Sequence, residues 1–199
     1  MYFQTGTFSV FEHRKTNELL FLHQIMGIIS KIANRILSSR LRLVVRDKKV
    51  FNLDLAKTAG VLWEIDQKDS FERVENELRN ANIKTSGLCY FPIRKAVIPE
   101  EINGFSKKQT LCWIEIPKDQ VSEGFIHQKF DILIDLTSQK YFPMVYLTAM
   151  SEAAFKIGYA GNQVNYFDWN IEFEEQPETS KLAEQILYYL KRINKTIIE

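Results

Sequence analysis

The chain has little cysteine. Of its 199 residues only Cys89 and Cys112 are cysteines, both within apolar, strand-like runs and neither in a CxxC pair. Two cysteines do not build the disulfide framework of a small secreted protein, and a buried thiol behaves as a small hydrophobic side chain. The pattern predicts a reducing, cytoplasmic location, although a single disulfide between the two stays open.

An excess of charge of one sign is also missing, since the formal net charge is +1. The balance is uneven along the chain. Residues 31–49 hold seven bases against Asp47, a local charge of +6, so the rest of the chain carries −5. A mildly acidic domain offers no broad electrostatic footprint for nucleic acid, and we expect no nucleic-acid partner.

Long hydrophobic runs are absent as well. The apolar stretch at residues 19–29 is broken by His23 and Gln24, whereas a membrane-spanning helix needs about 20 apolar residues. The stretch also lacks a basic leading segment and a clear cleavage site, so the sequence does not predict a signal peptide.

The residue patterns of common active sites are missing too. The three histidines are far apart, and none has a partner four residues away. No Gly-x-Ser-x-Gly pattern surrounds Ser151, and Gly158 and Gly161 are typical of a turn rather than of a phosphate loop. We therefore predict no catalytic residue, no metal site and no cofactor.

What the sequence does contain begins with a helical extension. Apolar residues recur at intervals of three and four, which predicts a helix over residues 17–41 within a basic amphipathic extension at 17–49. The members of this stripe are Leu22, Ile25, Ile29, Ile32 and Ile36. Residues 1–16 read as a tag remnant or a disordered start, and Met26 is an alternative native start.

Two roles are open for this extension. Its apolar face could pack on the domain, on a second copy as a homodimer, or on another protein. Alternatively, the helix could lie on an anionic membrane surface as a peripheral contact. The candidate residues for this partner or membrane surface are Lys31, Arg35, Arg40 and Arg42.

Residues 50–199 alternate between strand-like and helix-like segments and form one predicted α/β domain. Strands are predicted at 59–65, 83–91, 110–116, 130–137, 155–158 and 166–173, and helices at 71–81, 121–127, 144–154 and 178–193. Asp69 or Ser70, and Ser180, are candidate helix caps. The alternation indicates βαβ crossovers and a three-layer, Rossmann-like sandwich with a mostly parallel sheet of about five or six strands.

The most informative strand is residues 130–137, whose nearly continuous apolar character indicates burial on both faces. Asp131 and Asp135 within it lie roughly 13 Å apart at about 3.3 Å per residue, too far for paired acid catalysis. The simplest interpretation is that Asp131 caps the entrance of the strand and Asp135 the following turn. The alternative is a polar ligand site formed by Asp135, Thr137 and Ser138, because open α/β sheets bind ligands at the carboxyl ends of their strands.

Residues 52–62, 130–136 and 154–158 resemble an uncharacterised family of small bacterial proteins, with a match over most of residues 26–194 that implies no known activity. The order Phe-Asp-x-x-Ile-Asp-Leu, helix, Lys-Ile-Gly is also similar to the N-terminal lobe of heptosyltransferase-type glycosyltransferases. That similarity implies a shared fold rather than a shared reaction. The chain has no room for a second lobe, and Asp66-Gln67-Lys68 stands where those enzymes usually carry Gly-Asp.

Two functional hypotheses remain. The preferred one is a non-catalytic binding or scaffolding domain that associates through its N-terminal helix. The alternative is a sensor or enzyme that holds a small polar ligand near Asp135 at the C-terminal edge of the sheet.

Overall fold

A computed structural model describes residues 7–111 and 113–193, with side chains from residue 24 onward. Six strands alternate with five helices in this part of the chain. The helices are α1 Thr7–Leu41, α2 Lys68–Asn80, α3 Asp119–Ile126, α4 Phe142–Met150 and α5 Thr179–Arg192. The strands are β1 Thr58–Glu64, β2 Lys84–Phe91, β3 Gly104–Ser106, β4 Ile132–Asp135, β5 Phe155–Gly158 and β6 Trp169–Asn170.

All six strands are parallel and lie in the order β3-β2-β1-β4-β5-β6. The chain therefore builds outward from β1 in one direction and then from β4 in the other. The boundary between β1 and β4 is the point where the strand order reverses, and in open α/β sheets the ligand crevice lies beyond the strand ends at such a point. The predicted Rossmann-like α/β fold is confirmed.

The alternation of side chains along β1 creates two separate cores. Val61 and Trp63 belong to a cluster with α2 and α5, which pack against each other on one face. Leu62 belongs to a second cluster with residues of α3 and α4, among them Met144, on the opposite face. Because both faces are covered, the strands are apolar almost throughout, as expected for a parallel sheet inside three layers.

Helix α1 begins at Thr7, ten residues before the predicted start, and the predictions for residues 1–6 lie outside the described residues. At about 1.5 Å per residue its 35 residues extend for roughly 50 Å. Its last turns pack on α4, where Leu37 meets Tyr146 and Ala149 in a small third cluster. The domain end of this helix is therefore anchored by the same face of the sheet that carries α4.

One predicted strand, residues 110–116, is wrong. The described residues there form turns, closed by an antiparallel bridge between Thr110 and Pro117 and by local backbone hydrogen bonds such as that from Glu115 N–H to the Leu111 carbonyl at 2.9 Å. Glu115 has a left-handed φ of 52°, which a strand does not accommodate, and Trp113 is 76% exposed. The apolar run that suggested a buried strand therefore lies largely on the surface. Cys112 lies outside the described residues.

Three smaller differences concern ends of elements. Helix α2 begins at Lys68 directly after a 3-10 turn, Ile65–Gln67, so Gln67 rather than Asp69 or Ser70 is its N-cap. Helix α5 is capped by Glu178 and not by Ser180. The last strand has only two residues, and a short strand β3 forms at the opposite edge of the sheet, where no strand was predicted.

Candidate functional site

The carboxyl end of β1 places a glutamate at the point where the strand order reverses. Glu64 is the last residue of β1 and lies directly opposite Tyr90 of β2. Leu62 and Tyr90 both belong to the core under α4, and side chains alternate along a strand, so Glu64 points toward that same face. A carboxyl group and a phenol thus stand side by side beneath the carboxyl edge of the sheet.

The carboxyl group of Glu64 is buried, and its hydrogen bonds are incomplete. Only 2% of the residue is exposed, and its Oε1 atom has no hydrogen-bond partner within the described part of the chain. Its backbone N–H donates to Gln67 Oε1 at 2.9 Å, which fixes the turn into α2. Burial, with the charge of Asp66 added, raises the pKa of Glu64 to about 7, while the Lys140 ammonium acts in the opposite direction. The carboxyl group can therefore donate or accept a proton near neutral pH.

Tyr90 is in a similar position. Its ring packs against Phe105 at 5.0 Å and edge-on against Tyr141 at 5.4 Å between centroids. Its hydroxyl is buried, and it forms no hydrogen bond with any described residue. Burial raises the pKa of the phenol, so the group remains a neutral donor and acceptor. Buried hydroxyls usually find a partner, which makes this one unusual.

The loop between β4 and α4 contributes a third buried polar group. Ser138 and Gln139 have left-handed φ angles of 51° and 52°, a conformation that non-glycine residues adopt at a cost of about 1–2 kcal/mol each. Gln139 is 2% exposed, and neither atom of its side-chain amide has a hydrogen-bond partner among the described residues. Strain and an unpartnered amide coincide in this loop.

Gln139 also lines a crevice of about 660 Å³ at the carboxyl ends of β4, β5 and β6. Ser138 and Lys140 line it as well, and the other lining residues are 159–163, 170 and 172–176. Apart from Lys140, the charged lining residues are the three glutamates Glu172, Glu174 and Glu175. Lys140 connects the crevice with Glu64, since its charge acts on the pKa of that carboxyl group.

The predicted ligand residues Asp135, Thr137 and Ser138 occupy different environments. Asp135 is fully buried: Oδ1 accepts the backbone N–H and hydroxyl of Thr137 at 2.8 and 2.6 Å, and Oδ2 accepts the hydroxyl of Thr148 at 2.6 Å. Burial raises the pKa of Asp135, and these hydrogen bonds oppose the rise. Thr137 is buried with it, so of the three residues only Ser138 lines the crevice. Their role in ligand binding stays a prediction.

Asp131 closes the amino end of the same strand, as expected from the sequence. Its Oδ2 accepts the backbone N–H groups of Lys57 and Thr58 at 2.7 and 2.9 Å and so joins the entrances of β1 and β4. Asp131 and Asp135 therefore lie at opposite ends of β4 and share no proton.

The four basic candidates of the extension also differ. Lys31, Arg35 and Arg42 are exposed. Arg40 is engaged within the chain, because its guanidinium donates to the Tyr146 hydroxyl at 2.5 Å and lies over the same ring. No helix among the described residues is long and apolar enough to cross a membrane.

Sequence reasoning missed Glu64, Tyr90 and Gln139. The position of Glu64 at the end of the first core strand was a usable signal, because the carboxyl-end rule applies to β1 as well as to β4. Tyr90 and Gln139 carried none, since their missing partners become visible only once the strands and loops are assembled.

The fold and this edge define a Rossmann-like α/β protein with a candidate ligand crevice at the carboxyl ends of β4, β5 and β6. The chain belongs to a family of unknown function, DUF6913, which it matches over residues 29–193. No curated protein and no solved structure matches the chain. The similarity to glycosyltransferases therefore stays a prediction.

Proposed function

We propose that this protein binds a small polar ligand at the carboxyl edge of its sheet. The observation that carries the proposal is the set of three buried, unpartnered polar groups at this edge, those of Glu64, Tyr90 and Gln139, of which Gln139 lines the crevice of about 660 Å³. An unsatisfied buried polar group costs about 1–3 kcal/mol. Three of them at one edge are explained most simply by a ligand that supplies the missing hydrogen bonds.

The charges at this edge disfavour a phosphate. The connection from β1 to α2 contains Asp66 and no glycine, and Glu64 and Asp69 flank it, so the N-terminus of α2 lacks the glycine-rich loop that cradles a pyrophosphate. The crevice adds three glutamates against one lysine. A neutral or cationic ligand rich in hydroxyl, amide or amine groups fits this environment.

The proposal is tested by a thermal-shift screen of polyols, amides and amines on the wild-type protein and two variants. Hits should lose at least half of their stabilising effect in Glu64→Gln or Gln139→Leu. Glu184→Gln, a change at an exposed glutamate on α5, is the matched control and should leave every hit unchanged. An absence of hits, or hits that survive both site variants, would refute a ligand site at this edge.

A second function, self-association through α1, rests on a different observation. Met26 is 68% exposed, and Ile28 and Ile32 are also exposed on a helix whose anchored face is formed by Ala33 and Leu37. Beside them, Trp113 and Phe142 line a groove of about 250 Å³. The helix therefore carries more apolar surface than α4 covers.

A second copy of α1 fits this surface best. Leu22, Ile25, Ile29 and Ile32 follow the alternating three-four spacing of a coiled-coil seam, and Ile36 continues the spacing where the helix packs on the third cluster. The polar positions between them, His23, Gln24, Ser30, Lys31 and Asn34, fall on the outer face of such a pair. The partner that we propose is therefore another copy of this chain.

Light scattering after size-exclusion chromatography tests this association. The wild-type chain should have the mass of a dimer at about 50 µM, where weak helix pairing saturates. Met26→Lys with Ile32→Lys should give a monomer, and Asn34→Lys on the polar face should not change the mass. A monomeric wild type, or binding of wild type to anionic vesicles in place of dimerisation, would contradict the proposal.

A cytoplasmic location remains part of the proposal. It is supported by Cys89, a free and buried thiol whose pKa burial raises to about 12. Such a thiol is inert toward oxidation and needs no oxidising compartment.

A further inference from the structure

The opposite end of β5 carries a basic pocket that plays no part in the proposed ligand site. It has a volume of about 390 Å³ and lies between the segment after α1 and the β5–β6 connection. Arg46, Lys48 and Lys156 line it together with Asp168, and the polar residues Asn165 and Tyr166 complete the rim. Three cations thus face one carboxylate.

Lys156 is the buried member of this group. It is 1% exposed, and its Nζ donates to the backbone carbonyls of Thr148 at 2.7 Å and Ala149 at 3.0 Å, at the C-terminal end of α4. An ammonium group has three N–H donors, and its hydrogen bonds to described residues use two of them. A charged side chain with donor capacity left over is therefore fixed in the pocket wall.

Asp168 does not balance the positive charge. Its two oxygens accept hydrogen bonds from the two terminal nitrogens of Arg46, at 3.2 and 2.5 Å. Its Oδ2 also accepts a hydrogen bond from the backbone N–H of Lys156 at 2.9 Å. Arg46 in turn donates to the carbonyls of Ala153 and Ala154. With one carboxylate committed in this way, the lining keeps a charge of about +2 when Lys156 is protonated.

The burial and the positive charge of this pocket change the pKa of Lys156. Burial first, and then the charges of Arg46 and Lys48, lower the pKa of its ammonium to about 7. Arg46 has a side chain that is only 10% exposed, so solvent screens little of its repulsion. A bound anion would remove this repulsion and would accept hydrogen bonds from Lys48 and Lys156.

We propose that this pocket is a binding site for a small oxyanion, either a phosphate or a carboxylate group, held by Lys156 and Lys48 over the Arg46–Asp168 pair. The site lies at the amino end of β5, whereas the crevice lies at the carboxyl ends of β4 to β6. The two edges have opposite charge and therefore select different ligands.

Lys48 and Lys49 provide a matched pair for the test. Both side chains are exposed. Lys48 lines the pocket, and its Nζ lies 3.4 Å from Asp168 Oδ1, whereas Lys49 pairs with Asp47 outside the pocket. Sodium phosphate is titrated into ¹⁵N-labelled protein at constant ionic strength, and amide shifts are followed around Lys156 and Asp168. A second titration uses sodium acetate.

Wild type and Lys49→Met should bind phosphate with the same affinity, and Lys48→Met should bind about tenfold more weakly. Lys156→Met should abolish saturation while retaining a folded circular-dichroism spectrum. If that variant unfolds, the Lys48 and Lys49 pair decides the matter alone. Saturation by acetate as well would assign the site to oxyanions in general, and saturation by phosphate alone to phosphate. Shifts that never saturate, or equal binding by Lys48→Met and Lys49→Met, would overturn the proposal.

Discussion

Two buried carboxyl groups lie on adjacent strands and on the same face of the sheet, yet they differ in how completely they are hydrogen-bonded. Asp135 at the end of β4 accepts three hydrogen bonds, from Thr137 and Thr148. Glu64 at the end of β1 keeps an oxygen without a partner, beside the equally unpartnered hydroxyl of Tyr90. Both occupy the edge that a Rossmann-like fold uses for ligands.

The difference teaches that position alone does not identify a functional residue. A satisfied buried carboxylate fixes structure, because its hydrogen bonds are made by the protein itself. An unsatisfied buried carboxylate can still gain a hydrogen bond, and a bound ligand can supply it. By this criterion Asp135 holds the β4–α4 turn in place, and Glu64 is the candidate for ligand contact.

The largest expected effect comes from removing the Asp135 carboxylate, which accepts all of its hydrogen bonds from the protein. Asp135→Ala should lower the free energy of unfolding by about 3 kcal/mol, because it leaves three buried donors without an acceptor. Urea denaturation measures the change. Asp54→Ala, at an exposed aspartate, should cost less than about 0.5 kcal/mol. A loss below about 1 kcal/mol in Asp135→Ala would show that this network does not stabilise the fold.

Removing one donor instead of the acceptor should have about half that effect. Thr148→Val preserves the side-chain shape but deletes the hydroxyl that Asp135 accepts at 2.6 Å, at an expected cost of about 1.5 kcal/mol. Since that hydrogen bond opposes the rise in the pKa of Asp135, the pKa should rise further. Thr85→Val, where the hydroxyl makes only a 3.4 Å contact with a backbone carbonyl, is the control. Equal effects of the two changes would contradict the assignment.

Glu64→Gln tests whether the unsatisfied carboxyl group of Glu64 makes the stability of the protein depend on pH. The folded-state pKa of Glu64 is about 7 against an ordinary value of 4.5, so the folded protein binds the extra proton between these values. Wild-type stability should therefore be full below pH 4.5 and fall as the pH rises to 7. The variant lacks this fall. It should be more stable than wild type at pH 8 by about 1 kcal/mol, since the buried glutamine amide has hydrogen-bonding groups of its own to satisfy and so keeps only part of the gain. Parallel pH profiles would contradict a perturbed Glu64.

The smallest effect concerns the strained loop that follows Asp135, between β4 and α4. Ser138→Gly should raise the free energy of unfolding by about 0.5 kcal/mol, because glycine adopts the left-handed φ of 51° without strain. Ser106→Gly, at a φ of −113°, should lower it instead. If both changes destabilise the protein equally, Ser138 is not strained in solution.

Much of the fold could be predicted from sequence because burial leaves a strong pattern. The apolar runs around Leu62 and Leu133 indicate strands covered on both faces, and the stripe of α5 indicates a helix. Residues 110–116 failed the same reasoning, since an exposed apolar turn has the composition of a strand. The strand predicted at 166–173 is present only as the two residues of edge strand β6, because an edge strand pairs on one side alone.

The candidate site was predictable only in part. The sequence indicated the edge that we propose for the ligand, through the end of β4, and included Ser138 of the crevice wall. It could not distinguish Asp135 from Glu64, because the partners of Asp135 include Thr148, thirteen residues away on a helix. Hydrogen-bond satisfaction is a property of the assembled structure and has no local sequence signal.

The most direct test is an NMR titration of the Glu64 carboxyl group. Side-chain carboxyl carbons of ¹³C-glutamate-labelled protein are followed between pH 3 and 9, and Glu64→Gln assigns the resonance. We expect a midpoint of about 7, well above the ordinary value of 4.5. A midpoint near 4.5 would mean that Glu64 is solvated or paired in solution, and would contradict the claim that this edge holds an unsatisfied ligand site.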